Sequence, residues 1–156
     1  MTQLDRRALV FAGLGASVLL AANAHAEDAK KDAKKDTKDS APDGKRKAVI
    51  DATSVCVTAG RVCLAACTDH LAHGMKNMVD CQKAVMNMIA VSEAMGATAT
   101  YNTADLKSLK ALASTCATFC RTCEKACEPH TAMHAECKAC YDACKTCATA
   151  CEAFAA

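Results

Sequence analysis

The sequence has no tryptophan, and its 156 residues include only two tyrosines, three phenylalanines and two prolines. Aromatic rings dominate the packing of most cores, so a chain this poor in them fills its interior with something else. Glycine is scarce too, at six. No stretch sustains a two-residue alternation, which argues against strands. A dominant charge is also missing. Nineteen basic and 17 acidic residues leave a formal charge of +2, so no strong electrostatic partner, nucleic acid included, is implied. What is abundant is cysteine, thirteen in all.

Not all of the chain belongs to a fold. Residues 1–26 read as an export signal: Arg6 and Arg7 come first, an apolar run follows from Ala8 to Ala22, and Ala24-His25-Ala26 offers small residues for cleavage. The run falls short of the roughly 20 residues of a membrane span, so no membrane insertion is expected after cleavage. The paired arginines suggest the twin-arginine route, although Asp5 precedes them. Residues 27–46 are lysine, aspartate and small residues, closing on Pro42-Asp43-Gly44. Mixed charge without apolar residues cannot bury enough surface to fold, so this segment reads as a disordered tether. Residues 47–156 remain as one small domain.

Glycine and proline punctuate that domain. Gly74 and Gly96 close a first and a second helical stretch, Asn102 and Thr103 offer N-caps for a third with Asp105 in its first turn, and Pro129 separates the third from the fourth. Helices are expected near Lys47–Ala72, Met75–Met95, Ala104–Glu128 and Ala132–Ala153. Four helices of similar length with short loops imply an all-α, up-down-up-down four-helix bundle.

The cysteines follow the helical period. The third helix carries Cys116, Cys120, Cys123 and Cys127, and the fourth Cys137, Cys140, Cys144, Cys147 and Cys151. Alternating steps of three and four keep each set on one stripe. The first helix has Cys56, Cys63 and Cys67, with Gly60 in the skipped position. The second has only Cys81, and its stripe continues as Met78, Val85, Met88, Ser92 and Met95. These stripes predict a core lined with sulfur where leucine would ordinarily stand.

A free cysteine packs as a small hydrophobe. Thirteen in register fill a bundle poorly, so packing alone does not account for them. A disulfide framework suits an exported chain. It leaves an odd thiol, and it would close tiny loops within single helices for only about 2 kcal/mol each. A redox pair at one Cys-x-x-Cys leaves most of the cysteines unused. Metal explains them all. Thiolates select Cu(I), zinc and iron–sulfur clusters. Zinc and iron–sulfur clusters want four converging ligands, whereas a straight stripe offers a ladder of adjacent pairs. Cu(I) accepts two or three ligands, so the ladder suits it best. Bridging sulfurs would allow about one Cu(I) per cysteine.

The other soft or basic donors sit at one end. His70, His73, Met75 and Met78 join the first helix to the second; His130, Met133 and His134 join the third to the fourth. In an up-down-up-down bundle both connections lie together. His70, Met78, His130 and Met133 continue the stripes in phase, while His73 and His134 fall off them. The opposite end carries Val49, Met95, Leu106, Leu109 and Phe154. The pattern predicts a metal-accepting mouth and an apolar base.

These motifs are Cys-x6-Cys-x3-Cys in the first helix, Cys81 in the second, Cys-x3-Cys-x2-Cys-x3-Cys in the third and Cys-x2-Cys-x3-Cys-x2-Cys-x3-Cys in the fourth. Jointly they resemble the four-helix-bundle copper storage proteins, specifically the exported, twin-arginine-type members of methane-oxidising bacteria, over about Lys47 to Ala156. The resemblance implies a non-enzymatic protein that binds multiple Cu(I) ions through thiolate pairs. It further implies a homotetramer, a periplasmic location, copper passing histidine and methionine at one end, and later supply to copper enzymes such as membrane methane oxidase. An iron–sulfur electron carrier and a thiol–disulfide oxidoreductase are the competing functions. The copper donor and recipient are not written in the sequence.

Overall fold

The computed structural model describes residues 40–156. They form four α-helices: α1 Ser40–Ala72, α2 Val79–Tyr101, α3 Leu106–Cys127 and α4 Ala135–Ala155. Short 3₁₀ turns at Lys76–Met78 and Glu128–His130 lie before α2 and after α3. No strand occurs among the described residues. Packing joins α1 to α2, α2 to α3, α3 to α4 and α4 back to α1, with no diagonal pair among the described residues. That is the expected up-down-up-down bundle, and each helix turns one stripe to a shared axis. The expected signal at 1–26 and the tether as far as residue 39 lie outside the described residues.

Four expected boundaries are corrected. First, the stretch 40–46, read as the end of the tether, is the first part of α1. Pro42 falls in the opening turn, where a helix needs no backbone donor. Asp43 follows at the positive end of the helix dipole and lies 3.7 Å from Arg46.

Second, α2 does not stop at Gly96 but runs on to Tyr101. Glycine costs a helix about 1 kcal/mol relative to alanine. Here it allows close approach, because a Cβ at 96 would lie 2.8 Å from Thr53 Oγ1 of α1. The chain leaves α2 at Asn102, in the left-handed conformation with φ 52°, a conformation asparagine tolerates well. Third, the cap of α3 is neither Asn102 nor Thr103. Asp105 is extended, and its carboxylate accepts a hydrogen bond from Ser108 N at 2.9 Å. Likewise α4 begins at Ala135, three residues late, because residues 131–134 complete the turn after Pro129.

Ion pairs stitch the outer faces. Arg61 reaches Glu93 at 2.6 Å across α1 and α2. The Arg121 guanidinium meets Glu152 of α4 and Glu124 of its own helix, both at 2.9 Å. Exposed pairs contribute about 1 kcal/mol at most, so cohesion rests on the interior. At one end that interior is apolar: Val49, Met95, Ala99, Leu109, Ala113 and Phe154 are buried. This is the expected base, with one correction. Leu106 is 54% exposed, because as the first residue of α3 it precedes the turn that meets the core.

Candidate metal centre

All thirteen cysteines are buried and free, and each is fully shielded from solvent. Their sulfurs form a connected column. Cys67 Sγ lies 3.6 Å from Cys81, and Cys81 lies 3.5 Å from Cys127. The chain continues through Cys123 at 4.0 Å, Cys140 at 3.8 Å, Cys144 at 4.0 Å and Cys56 at 3.8 Å. Every helix contributes at least one sulfur, and the path crosses between helices repeatedly. A stripe on one helix thus offers adjacent pairs, and the closed bundle links the pairs into one column.

The sulfurs group into sets whose members all lie within 4.8 Å of one another: Cys63, Cys67, Cys81 and Cys137; Cys56, Cys120 and Cys147; Cys63, Cys127 and Cys140; Cys116, Cys147 and Cys151; Cys123, Cys140 and Cys144. Every cysteine belongs to at least one set, and Cys63, Cys140 and Cys147 each belong to two. A metal–thiolate bond of about 2.3 Å puts paired sulfurs about 4.0 Å apart around a trigonal ion and about 4.6 Å apart around a linear one. The observed separations need only small movements to reach those values. Shared members would bridge neighbouring ions.

Crowding perturbs the thiols. Burial, with Cys81 close by, pushes Cys67 up to about 12. Burial likewise pushes Cys137 up to about 11. Cys81 moves the other way, because hydrogen bonds from Cys127 and Cys63 favour its thiolate. Cys151 is lowered to about 5 by hydrogen bonds from Cys116 and Cys147. Thiols in the column thus share protons, and an arriving cation would displace them.

The donors expected at the mouth divide. Met78 is fully buried and His130 is 5% exposed, while His70 and Met75 are half-buried. His134, which falls off the stripe, comes in: its ring centroid stands 4.3 Å from that of His70 and 6.4 Å from that of His130. His130 Nδ1 and His134 Nε2 are both buried without a hydrogen-bond partner. A buried polar atom left unpaired is costly, so the two nitrogens are suited to a ligand. Met133 is corrected. It is 68% exposed, because the turn at 131–134 breaks the helical phase that its placement assumed. His73 also lies on the surface, its Nδ1 2.8 Å from the Asp69 carbonyl oxygen. His134 could not be found by periodicity, since the turn and not a helix aims its ring.

Met88 and Ser92 read in the sequence only as stripe residues. In the fold they sit inside the column. Met88 Sδ is 3.2 Å from Cys56 Sγ, and Ser92 Oγ is 3.6 Å from Cys116 Sγ and 3.8 Å from Cys120 Sγ.

Residues 43–156 match the profile of a family described as copper storage protein. Among solved structures, apo copper storage protein 3 from Bacillus subtilis is similar, with a TM-score of 0.60 and 26% identity over 70% of this chain and 98% of that one. No curated protein sequence matches.

Proposed function

The chain belongs to the copper storage protein family, and from that premise we propose that it holds Cu(I), about one ion per cysteine, along the sulfur column. The observation that carries this is the grouping of all thirteen cysteines into overlapping sets within 4.8 Å. Soft thiolates select Cu(I) among the metals that accept two or three ligands. The proposed ligands are the thirteen cysteines, with His70, Met75, Met78, His130 and His134 passing ions in at the mouth. Met133 is left out by its exposure.

The protein acts by binding and release, not by turnover. A chaperone needs one exposed site, whereas this column runs through the whole upper bundle. An iron–sulfur carrier needs four ligands around each cluster, and among the described residues only the set of Cys63, Cys67, Cys81 and Cys137 offers four.

Export through the twin-arginine route to the periplasm belongs to the same reading and is supported by Arg6, Arg7 and the apolar run behind them. Assembly into a tetramer is supported by the outer face of α1, where Val55 and Val62 are 62% and 54% exposed. Finding the processed chain in a periplasmic fraction, and weighing it in solution, checks these two points.

The deciding experiment is anaerobic titration of the reduced protein with Cu(I) against a competing chelator. A count near the number of cysteines is expected. A count of one or none would end the storage reading.

A further inference from the structure

One stretch of the column lacks an α2 cysteine, and a methionine stands there instead. Met88 is fully buried, far from the mouth. The Cys56 thiol donates to its Sδ at 3.2 Å, and the Ser92 hydroxyl donates to the same sulfur at 3.5 Å. Cys56 itself belongs with Cys120 and Cys147, and it lies 3.8 Å from Cys144. The Met88 thioether therefore adjoins a three-thiol set.

Space for it is provided from the neighbouring helix, α1. Position 60 falls on the α1 stripe between Cys56 and Cys63, where a side chain would enter the core. It is glycine, and a Cβ there would come within 2.7 Å of Met88 Cε. Thus α1 withholds a side chain and α2 reaches into the gap. Leucine would fill comparable volume. What only methionine brings is a thioether, a soft donor compatible with Cu(I) that carries no proton to displace.

We infer that Met88 is a copper ligand within the store, completing a mixed thioether–thiolate site with Cys56 and one of its two partners, Cys120 or Cys147. This rests on the storage reading and adds a ligand to it. A thioether in place of a third thiolate leaves the ion's surroundings with one less negative charge, which a dry core accommodates more easily. It also makes this site less dependent on pH than its all-thiolate neighbours.

The test uses protein grown with selenomethionine, loaded with Cu(I), and examined at the selenium X-ray absorption edge. A selenium–copper contact is expected, and Met88→Leu should remove part of its amplitude and lower Cu(I) capacity by about one ion. Met95→Leu, in the apolar base, should leave both unchanged. Circular dichroism of the apo variants checks that the bundle persists. Should Met88→Leu fail to fold, Gly60→Ala serves in its place: its Cβ presses on the Met88 methyl and should weaken the same contact. An unchanged selenium–copper signal in a folded variant that still binds copper would overturn this assignment alone. Failure of the unaltered protein to take up copper would overturn the storage reading and this site together.

Discussion

Imidazole and thiol differ in what a metal must displace from them. A neutral imidazole offers a lone pair directly, whereas a thiol must first give up its proton. The three rings of His70, His130 and His134 stand together at the mouth, two of them with buried, unpartnered nitrogens. Donors of that kind favour capture, and the thiols beneath favour retention. Replacing His70, His130 and His134 by alanine is therefore expected to slow Cu(I) uptake about tenfold, the equivalent of about 1.4 kcal/mol at the mouth, with final capacity almost unchanged. Stopped-flow mixing with a Cu(I)–chelator complex measures the rate, and exhaustive titration measures the capacity. An equal loss in both would show that the rings store copper and do not admit it. Replacing His73, exposed beside Asp69, should alter neither.

At the scale of the helix, spacing and partnership have separate roles. The α4 stripe runs from Cys137 to Cys151, about 21 Å at 1.5 Å per residue. Its five cysteines pair mainly across to other helices. Cys140 Sγ is 3.8 Å from Cys123 of α3, and Cys137 Sγ is 3.8 Å from Cys63 of α1. Each of the five shares a set with a cysteine of another helix. Changing all five to alanine should lower the copper count by at least five, and by more if bridged ions leave with them. A chelator-competition titration of the variant gives the number, and a count equal to that of the unaltered protein would rule the ladder out. The small size of alanine relative to cysteine makes this variant less stable as well, so its helical content is measured alongside.

Across the whole molecule, proton and metal compete for one column. The thiols of Cys67 and Cys137 are pushed up to about 12 and 11, above the ordinary cysteine value of 9.0. A group whose folded value is raised stabilises the fold below the unfolded value, and that stability is lost as pH rises through the folded one. The lowered thiols, Cys81, Cys120, Cys140 and Cys151, act in the opposite sense. Their contribution is complete above about pH 9, so they add no slope beyond it. Apo protein is accordingly expected to lose thermal stability between about pH 9 and 12. The copper-loaded protein, whose thiols have already lost their protons, should show a weaker dependence and a higher midpoint at neutral pH. Thermal unfolding of both forms across that range checks the sign. A rise in apo stability above pH 9 would refute the assignment of burial as the cause.

Much of this is legible in the sequence. Steps of three and four between cysteines fix a face on a helix whatever surrounds it, because the helical period is local. The four stripes, the fold class and the thiolate chemistry follow from that, as does the gathering of His70, Met78 and His130 at one end. Other features depended on the chain around them. Asp43 and Pro42 turned the end of a charged segment into helix, and Gly96 served a close approach where it had promised a stop. Met133 turned outward and His134 inward because a turn, unlike a helix, has no period from which to read direction. The pairing of sulfurs between helices, and the fit of Met88 against Gly60, were decided only by tertiary packing, since they depend on rotation and depth of one helix against another. Along the helices, where the period holds, the sequence by itself determined which atoms face the axis; the closed bundle decided which of them meet.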